Sequence, residues 1–201
     1  MRLIGITGGV GAGKSTILAY IREHYRCRIY LADEVAHAVK EPGQPCYQAL
    51  VSLLGREILE QDGHIHKGRM AEKIFRDGSM LERVNAIVHP AVRKFLLEKI
   101  EEARREGEAE LFFIEAALLI ECGYGDIVDE MWYIHASEDA RRKRLVESRG
   151  YSPEKIEQIM GSQLTETEFR TGSDFVIDNS NEPEESYRQI RERLEGYTWR
   201  Q

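Results

Sequence analysis

Gly8-Gly9-Val10-Gly11-Ala12-Gly13-Lys14-Ser15-Thr16 is the stretch on which the reading of this chain turns. It follows the apolar run Leu3-Ile4-Gly5-Ile6-Thr7 and opens a helical pattern with Ile17, Leu18 and Ile21 on one face. Strand, loop, helix is the context that G-x-x-x-x-G-K-[ST] requires, with Gly8 and Gly13 as its fixed glycines. Glycines let the backbone turn tightly and bring N–H groups against a phosphate that a side chain would hold off. The helix adds unpaired amides and the positive end of its dipole. The stretch therefore predicts a loop in which Gly9, Gly11, Ala12, Gly13, Lys14, Ser15 and Thr16 surround a nucleoside triphosphate. Lys14 would reach the β- and γ-phosphates, and the Ser15 hydroxyl would ligate Mg²⁺. The competing reading, a glycine-rich turn that binds nothing, leaves Lys and Ser in register behind four glycines by accident.

Outward from the loop, residues 2–7 read as the first strand, and the helix from Lys14 runs to about His24. Arg28 to Leu31 reads as a second strand, with a helix starting at Asp33. In doubly wound sheets functional groups gather at the C-terminal ends of strands, so Asp33 stands where it could act on a substrate hydroxyl. It could also cap the following helix, a common use of Asp. From Pro42 to about Gly107 the pattern is almost wholly helical: Cys46–Leu54, Lys67–Phe75, Met80–Val88 and a long helix from Pro90 to about Arg105. That is far more than the dozen or so residues a parallel crossover needs, and predicts a helical substrate-binding insertion. Pro90 suits a first helical turn, which would put His89 at the helix entrance, either bound to substrate or simply half-buried. His64-x-His66 lacks a nearby third metal ligand.

Leu111-Phe112-Phe113-Ile114-Glu115 reads as a buried central strand whose terminal Glu115 resembles the acidic end of a Walker B strand, holding Mg²⁺ directly or through water. Glu121 lines the site or faces solvent. Met131–His135 is another strand, and Ser137 caps the helix that follows. That helix carries Arg141, Arg142, Lys143, Arg144 and Arg149: an ordinary solvated face, or a lid supplying charge to a transferring phosphoryl group. A second helix runs from Ser152-Pro153 to Gln163. A last strand over 174–179 and an amphipathic helix over 183–196 close the chain.

The composition sets limits. With 201 residues, 42% hydrophobic and 31% charged, the chain suits one α/β domain with an insertion. Thirty-five acidic against 28 basic residues give −7, which argues against a general nucleic-acid or membrane-surface binder. Cys27, Cys46 and Cys122 have no metal or C-x-x-C spacing and read as free thiols of a reducing compartment. The start leaves no room for a signal peptide, and no apolar run approaches about 20 residues. A cytoplasmic protein is expected.

Gly8 to Thr16, Ala32-Asp33, Pro42-Gly43, Leu54-Gly55, Asp62-Gly63, Phe75, His89-Pro90, Leu118-Leu119-Ile120-Glu121, Arg144-Leu145, Gln163 and Asp174-x-Val176-Ile177-Asp178-Asn179 together resemble the dephospho-coenzyme A kinases, in order along nearly the whole chain. The resemblance implies an ATP- and Mg²⁺-dependent kinase that phosphorylates the ribose 3′-hydroxyl of dephospho-coenzyme A. It also implies an α/β fold in three parts. A parallel-sheet phosphate-loop core would span 1–41, 108–138 and 173–201, with a helical substrate domain over 42–107 and a lid over 139–172. Asp33, Lys14 and Arg144 would be catalytic. Arg144 and Asn179 would join the loop in holding ATP, with Asn179 at the adenine. Asp33, His89, Glu121 and Arg149 would meet substrate, and Ser15 and Glu115 the metal. The small-molecule substrate would be the partner, with no nucleic acid or membrane, and the chain a monomer or weak homo-oligomer.

The chain departs from the family pattern in places. The usual Asp-Ala-Asp reads Leu31-Ala32-Asp33, so one carboxylate remains. An Arg expected four residues later is His37, and a Pro before Leu-Leu is Ala117. Ser148 stands where a second lid arginine is usual, with Arg149 after it, and Phe169-Arg170 displaces another basic residue by one. Two rivals share the loop: a kinase of another nucleoside or nucleotide, and a slow nucleotide-hydrolysing switch. Against the switch, Asp178-Asn179 lacks the Lys of a guanine-reading motif.

Overall fold

The computed structural model describes residues 1–197; the last four residues of the core assigned to 173–201 lie outside them. Five strands, β1 (Arg2–Thr7), β2 (Cys27–Leu31), β3 (Leu111–Glu115), β4 (Glu130–His135) and β5 (Phe175–Asp178), form a parallel sheet in the order β2-β3-β1-β4-β5. Ile4, Ile6, Phe112, Phe113, Ile114, Trp132 and Ile134 are completely buried. Such unbroken apolar runs, rather than alternation, are what a sheet covered on both faces demands. The chain leaves β1 toward β2 on one side and leaves β3 toward β4 on the other. The switch point, where α/β sheets bind ligands, therefore lies between β1 and β3.

The chain divides into two compact units. One comprises Met1–Ile29 with the residues from Ala103 onward, and the other is Tyr30–Glu102. The first unit holds α1 (Lys14–His24) and the later helices, and the second is mostly helical. It contains α2 (Ala32–Ala38), α3 (Tyr47–Leu54), α4 (Lys67–Arg76) and most of α5 (Met80–Glu106). The two helices expected around His89-Pro90 are in fact this single α5, with Pro90 inside it. An interior proline removes one backbone donor and crowds the preceding turn. Here the buried stripe Val84, Val88, Val92, Leu96, Ile100 and Ala103 runs straight through it, and that packing carries the helix past the proline. His89 is accordingly an exposed mid-helix residue, not one at a helix entrance.

His66 caps α4, its Nδ1 accepting from the Gly68 and Arg69 amides at 3.1 and 3.3 Å. His64 lies against Asp62 and Glu41. The stretch expected to form a lid contains α6 (Glu138–Arg149), capped by Ser137, and α7 (Pro153–Gly161), capped by Ser152. It also contains α8 (Glu166–Thr171), which the sequence reading missed. Thr165 and Glu168 form a capping box at its start, a Thr-x-x-Glu signal that was present in the sequence. The closing helix is α9 (Pro183–Glu195).

Candidate active site

The loop between β1 and α1 is bent by its glycines. Gly11 and Gly13 take φ of 78° and 88°, left-handed values that favour glycine. A Cβ on Gly13 would stand 2.3 Å from Asn179 Nδ2, and one on Gly9 2.6 Å from Arg141 Cζ. Lys14 opens α1 and folds back over the loop. Its Nζ donates to the Gly8 carbonyl at 2.8 Å and stands 3.5 Å from Glu115 Oε1. Glu115 ends β3 in register with Ile6 of β1, which carries its carboxylate to the switch point.

Four side chains from the far end of the chain grip the loop backbone. Arg141 Nε donates to the Val10 carbonyl at 2.9 Å, and its NH2 donates to Gln163 Oε1 at 2.7 Å. The Val10 amide donates to the same Gln163 oxygen at 3.1 Å. Arg144 donates to the carbonyls of Asn179 and Ala12 at 2.7 and 3.4 Å. The Asn179 amide donates to the Ala12 carbonyl at 2.8 Å and accepts from Ser186 Oγ at 2.9 Å. Asn179 is only 3% exposed, so both ends of its side chain are engaged by the protein.

Among the described residues Arg141 and Arg144 thus hydrogen-bond to neutral acceptors, whereas the adjacent Arg142 binds Glu138 and Glu157. Burial pulls the Arg141 guanidinium below its ordinary value, yet a guanidinium remains charged.

The other expected residues are placed elsewhere. Arg149 is exposed, with its guanidinium 5.8 Å from the Tyr151 ring centre, and Glu121 is exposed in the turn after β3. Within the second unit, Asp33 lies in the first turn of α2, exposed and without a cap hydrogen bond, the cap position being Leu31. Burial, Lys40 and Lys67 pull His37 below the ordinary histidine range, with Asp33 opposing them. Burial and then Lys67 likewise pull Lys40 down. His37 thus stands near Lys40 and Lys67, a grouping that the sequence does not announce. Lys40 and Lys67 stand apart in sequence and carry no motif.

The sequence matches the Dephospho-CoA kinase family over residues 2–185. The chain belongs to the dephospho-CoA kinase family. It is 35% identical over 192 residues to the dephospho-CoA kinase of Geobacter sulfurreducens, with 96% of each chain covered. Its fold superposes on TT1252 from Thermus thermophilus with a TM-score of 0.81 at 28% identity, covering 98% of both. It also superposes on the dephospho-CoA kinase from Campylobacter jejuni with a TM-score of 0.72 at 21% identity, covering 97% of this chain and 96% of that one. This last likeness speaks for the fold alone. Family and fold together make the chain a kinase built on a phosphate-loop core. No helix among the described residues is long and apolar enough to cross a membrane.

Proposed function

We propose that this kinase transfers the γ-phosphoryl of ATP to the ribose 3′-hydroxyl of dephospho-coenzyme A, giving coenzyme A and ADP, the last step of coenzyme A biosynthesis. The observation that carries this reading is the glycine loop with Lys14 and Glu115 at the switch point, beside two arginines hydrogen-bonded to neutral groups among the described residues, in a chain of this family. Phosphoryl transfer asks for positioning and charge neutralisation more than for covalent chemistry. Gly9, Gly11, Ala12, Gly13, Lys14, Ser15 and Thr16 would hold the phosphates. Ser15 and Glu115 offer hydroxyl and carboxylate oxygens, the hard donors that suit Mg²⁺, and would hold that ion. When bound, Mg²⁺ neutralises charge on the β- and γ-phosphates.

Asp33 would orient the 3′-hydroxyl and accept its proton, and Lys40 and Lys67 would offset the acceptor's own phosphate charge. Arg144, with Arg141 or Arg149, would meet the developing charge. Asn179 would serve ATP through the Ala12 peptide that it holds. His89 and Glu121 remain proposed substrate contacts, with 42–107 the substrate domain and 139–172 the lid. We place the enzyme in the cytoplasm as a monomer or weak homo-oligomer.

The test is ADP release from ATP and Mg²⁺ with dephospho-coenzyme A, adenosine or AMP as acceptor. Release only with dephospho-coenzyme A, and a product heavier by one phosphate, is expected. Release with adenosine or AMP would move the substrate, and slow release indifferent to every acceptor would indicate a switch.

A further inference from the structure

The loop's third residue is held from both sides by one closed ring of hydrogen bonds. The Val10 N–H donates to Gln163 Oε1, Arg141 NH2 donates to that same oxygen, and Arg141 Nε returns to the Val10 carbonyl, at 3.1, 2.7 and 2.9 Å. Both neighbours of the Gln163 oxygen are donors, so the amide orientation follows from chemistry: only its oxygen fits there. Gln163 comes just after α7, whose C-cap is Ser162, and Arg141 lies on α6, so the ring fastens two lid helices to the phosphate loop.

We infer that Gln163 is a positioning residue for nucleotide phosphates, acting through Arg141 and the Val10 peptide rather than by touching the nucleotide. Two observations beyond the ring support this. The Arg141 guanidinium lies flat against Gly9, so close that a Cβ there would come within 2.5 Å of NH2. Without Gln163 the planar fork keeps one fixed bond, to the Val10 carbonyl, and can swing about it, whereas two bonds fix a plane. Secondly, Gln163 is neutral. A carboxylate in its place would hold the guanidinium equally well but would cancel the charge that an anion needs. The ring thus orients Arg141 and leaves its charge unspent. Arg142, one residue along, is oriented by Glu138 and Glu157 and is neutralised by them.

The inference rests on the phosphate loop binding a nucleotide, but not on the identity of the acceptor. It is tested by a double-mutant cycle over Gln163→Ala and Arg141→Ala, read in the dissociation constant for ADP, in KM for ATP, in kcat and in the thermal midpoint. Gln163→Ala is expected to weaken ADP binding and raise KM for ATP roughly ten- to hundredfold, the worth of one charge-assisted hydrogen bond. In the Arg141→Ala background the same change is expected to cost several-fold less than in the wild type, because only the Val10 N–H remains for Gln163 to hold. Gln163→Glu, which keeps the acceptor, is expected to preserve the thermal midpoint while still weakening ADP binding.

Additive losses would overturn the inference. So would a Gln163→Ala protein with a lowered midpoint and wild-type KM, kcat and ADP affinity, or a Gln163→Glu protein that binds ADP as wild type does. If Gln163→Ala fails to fold, Gln163→Glu alone decides between charge and mere packing. A wild-type enzyme that binds ADP but ignores dephospho-coenzyme A would sink the proposed substrate, while the cycle in ADP affinity would still judge the ring.

Discussion

The Lys14 ammonium stands 3.5 Å from the Glu115 carboxylate, joining the first residue of α1 to the last residue of β3 across the switch point of the sheet. Their side chains are 16% and 14% exposed, so each charge is shielded from water and leans on the other. Lys14 also keeps the Gly8 carbonyl at 2.8 Å. A lysine tethered in this way is already drawn back over the loop where phosphates would lie, and needs little reorganisation to meet them.

Glu115→Gln keeps the volume and removes the charge. The expected result is a loss of roughly 10- to 100-fold in kcat, the scale seen when a residue at or behind a metal is changed, together with a higher Mg²⁺ concentration for half-maximal rate. Initial rates over a Mg²⁺ titration check this. An unchanged Mg²⁺ dependence would confine Glu115 to holding Lys14.

Asp33→Asn should leave ATP binding near normal and lower turnover by at least about a hundredfold, the scale of a lost acid–base group. Because Asp33 is exposed and carries no cap bond, the thermal midpoint should barely move, and the comparison isolates chemistry from folding. Near-normal turnover would remove Asp33 from the reaction.

Neighbouring arginines should separate cleanly. Arg144 binds the loop at Ala12 and the Asn179 carbonyl, whereas Arg142 spans Glu138 and Glu157 at the surface. Arg144→Met is expected to raise KM for ATP roughly tenfold. Arg142→Met should leave it within about twofold, since exposed ion pairs contribute little. Steady-state kinetics on the two variants, run side by side, decides it.

At the opposite end of the sheet, Glu130 is 4% exposed. Burial alone would raise its carboxyl. Hydrogen bonds from Tyr197, Trp132, Arg193 and Arg2 outweigh that and hold it at about 2, against an ordinary 4.5. The folded form therefore binds fewer protons than the unfolded chain between those values. The stabilisation is complete above about pH 4.5 and is lost as pH falls toward 2. Its size is on the order of 3 kcal/mol. Denaturant midpoints measured from pH 7 to pH 2 should fall in that window for the wild type. They should fall less for Glu130→Gln, whose unfolding free energy at pH 7 should be lower by an amount of that order.

Much of this molecule is decided locally and can be read from the sequence. The glycine loop and its helix, the apolar strands 2–7 and 111–115, the Ser137 cap and the helix start at Ser152-Pro153 depend on spacing over a few residues, and the structure has them where spacing puts them. The Thr165-x-x-Glu168 box was equally local and simply went unread. Pro90 misled because its effect is local but the force overriding it, a buried stripe from Val84 to Ala103, is tertiary. The site shows the same division. Sequence names Lys14, Ser15 and Glu115, whose types announce their chemistry. It cannot say that Arg141 and Gln163 meet at Val10, some 130 and 150 residues away along the chain, or that Arg142 spends its charge on glutamates while Arg141 keeps its own. Residue type fixes what a side chain can bond. Only the packing of α6 and α7 against the loop decides which partner it finds.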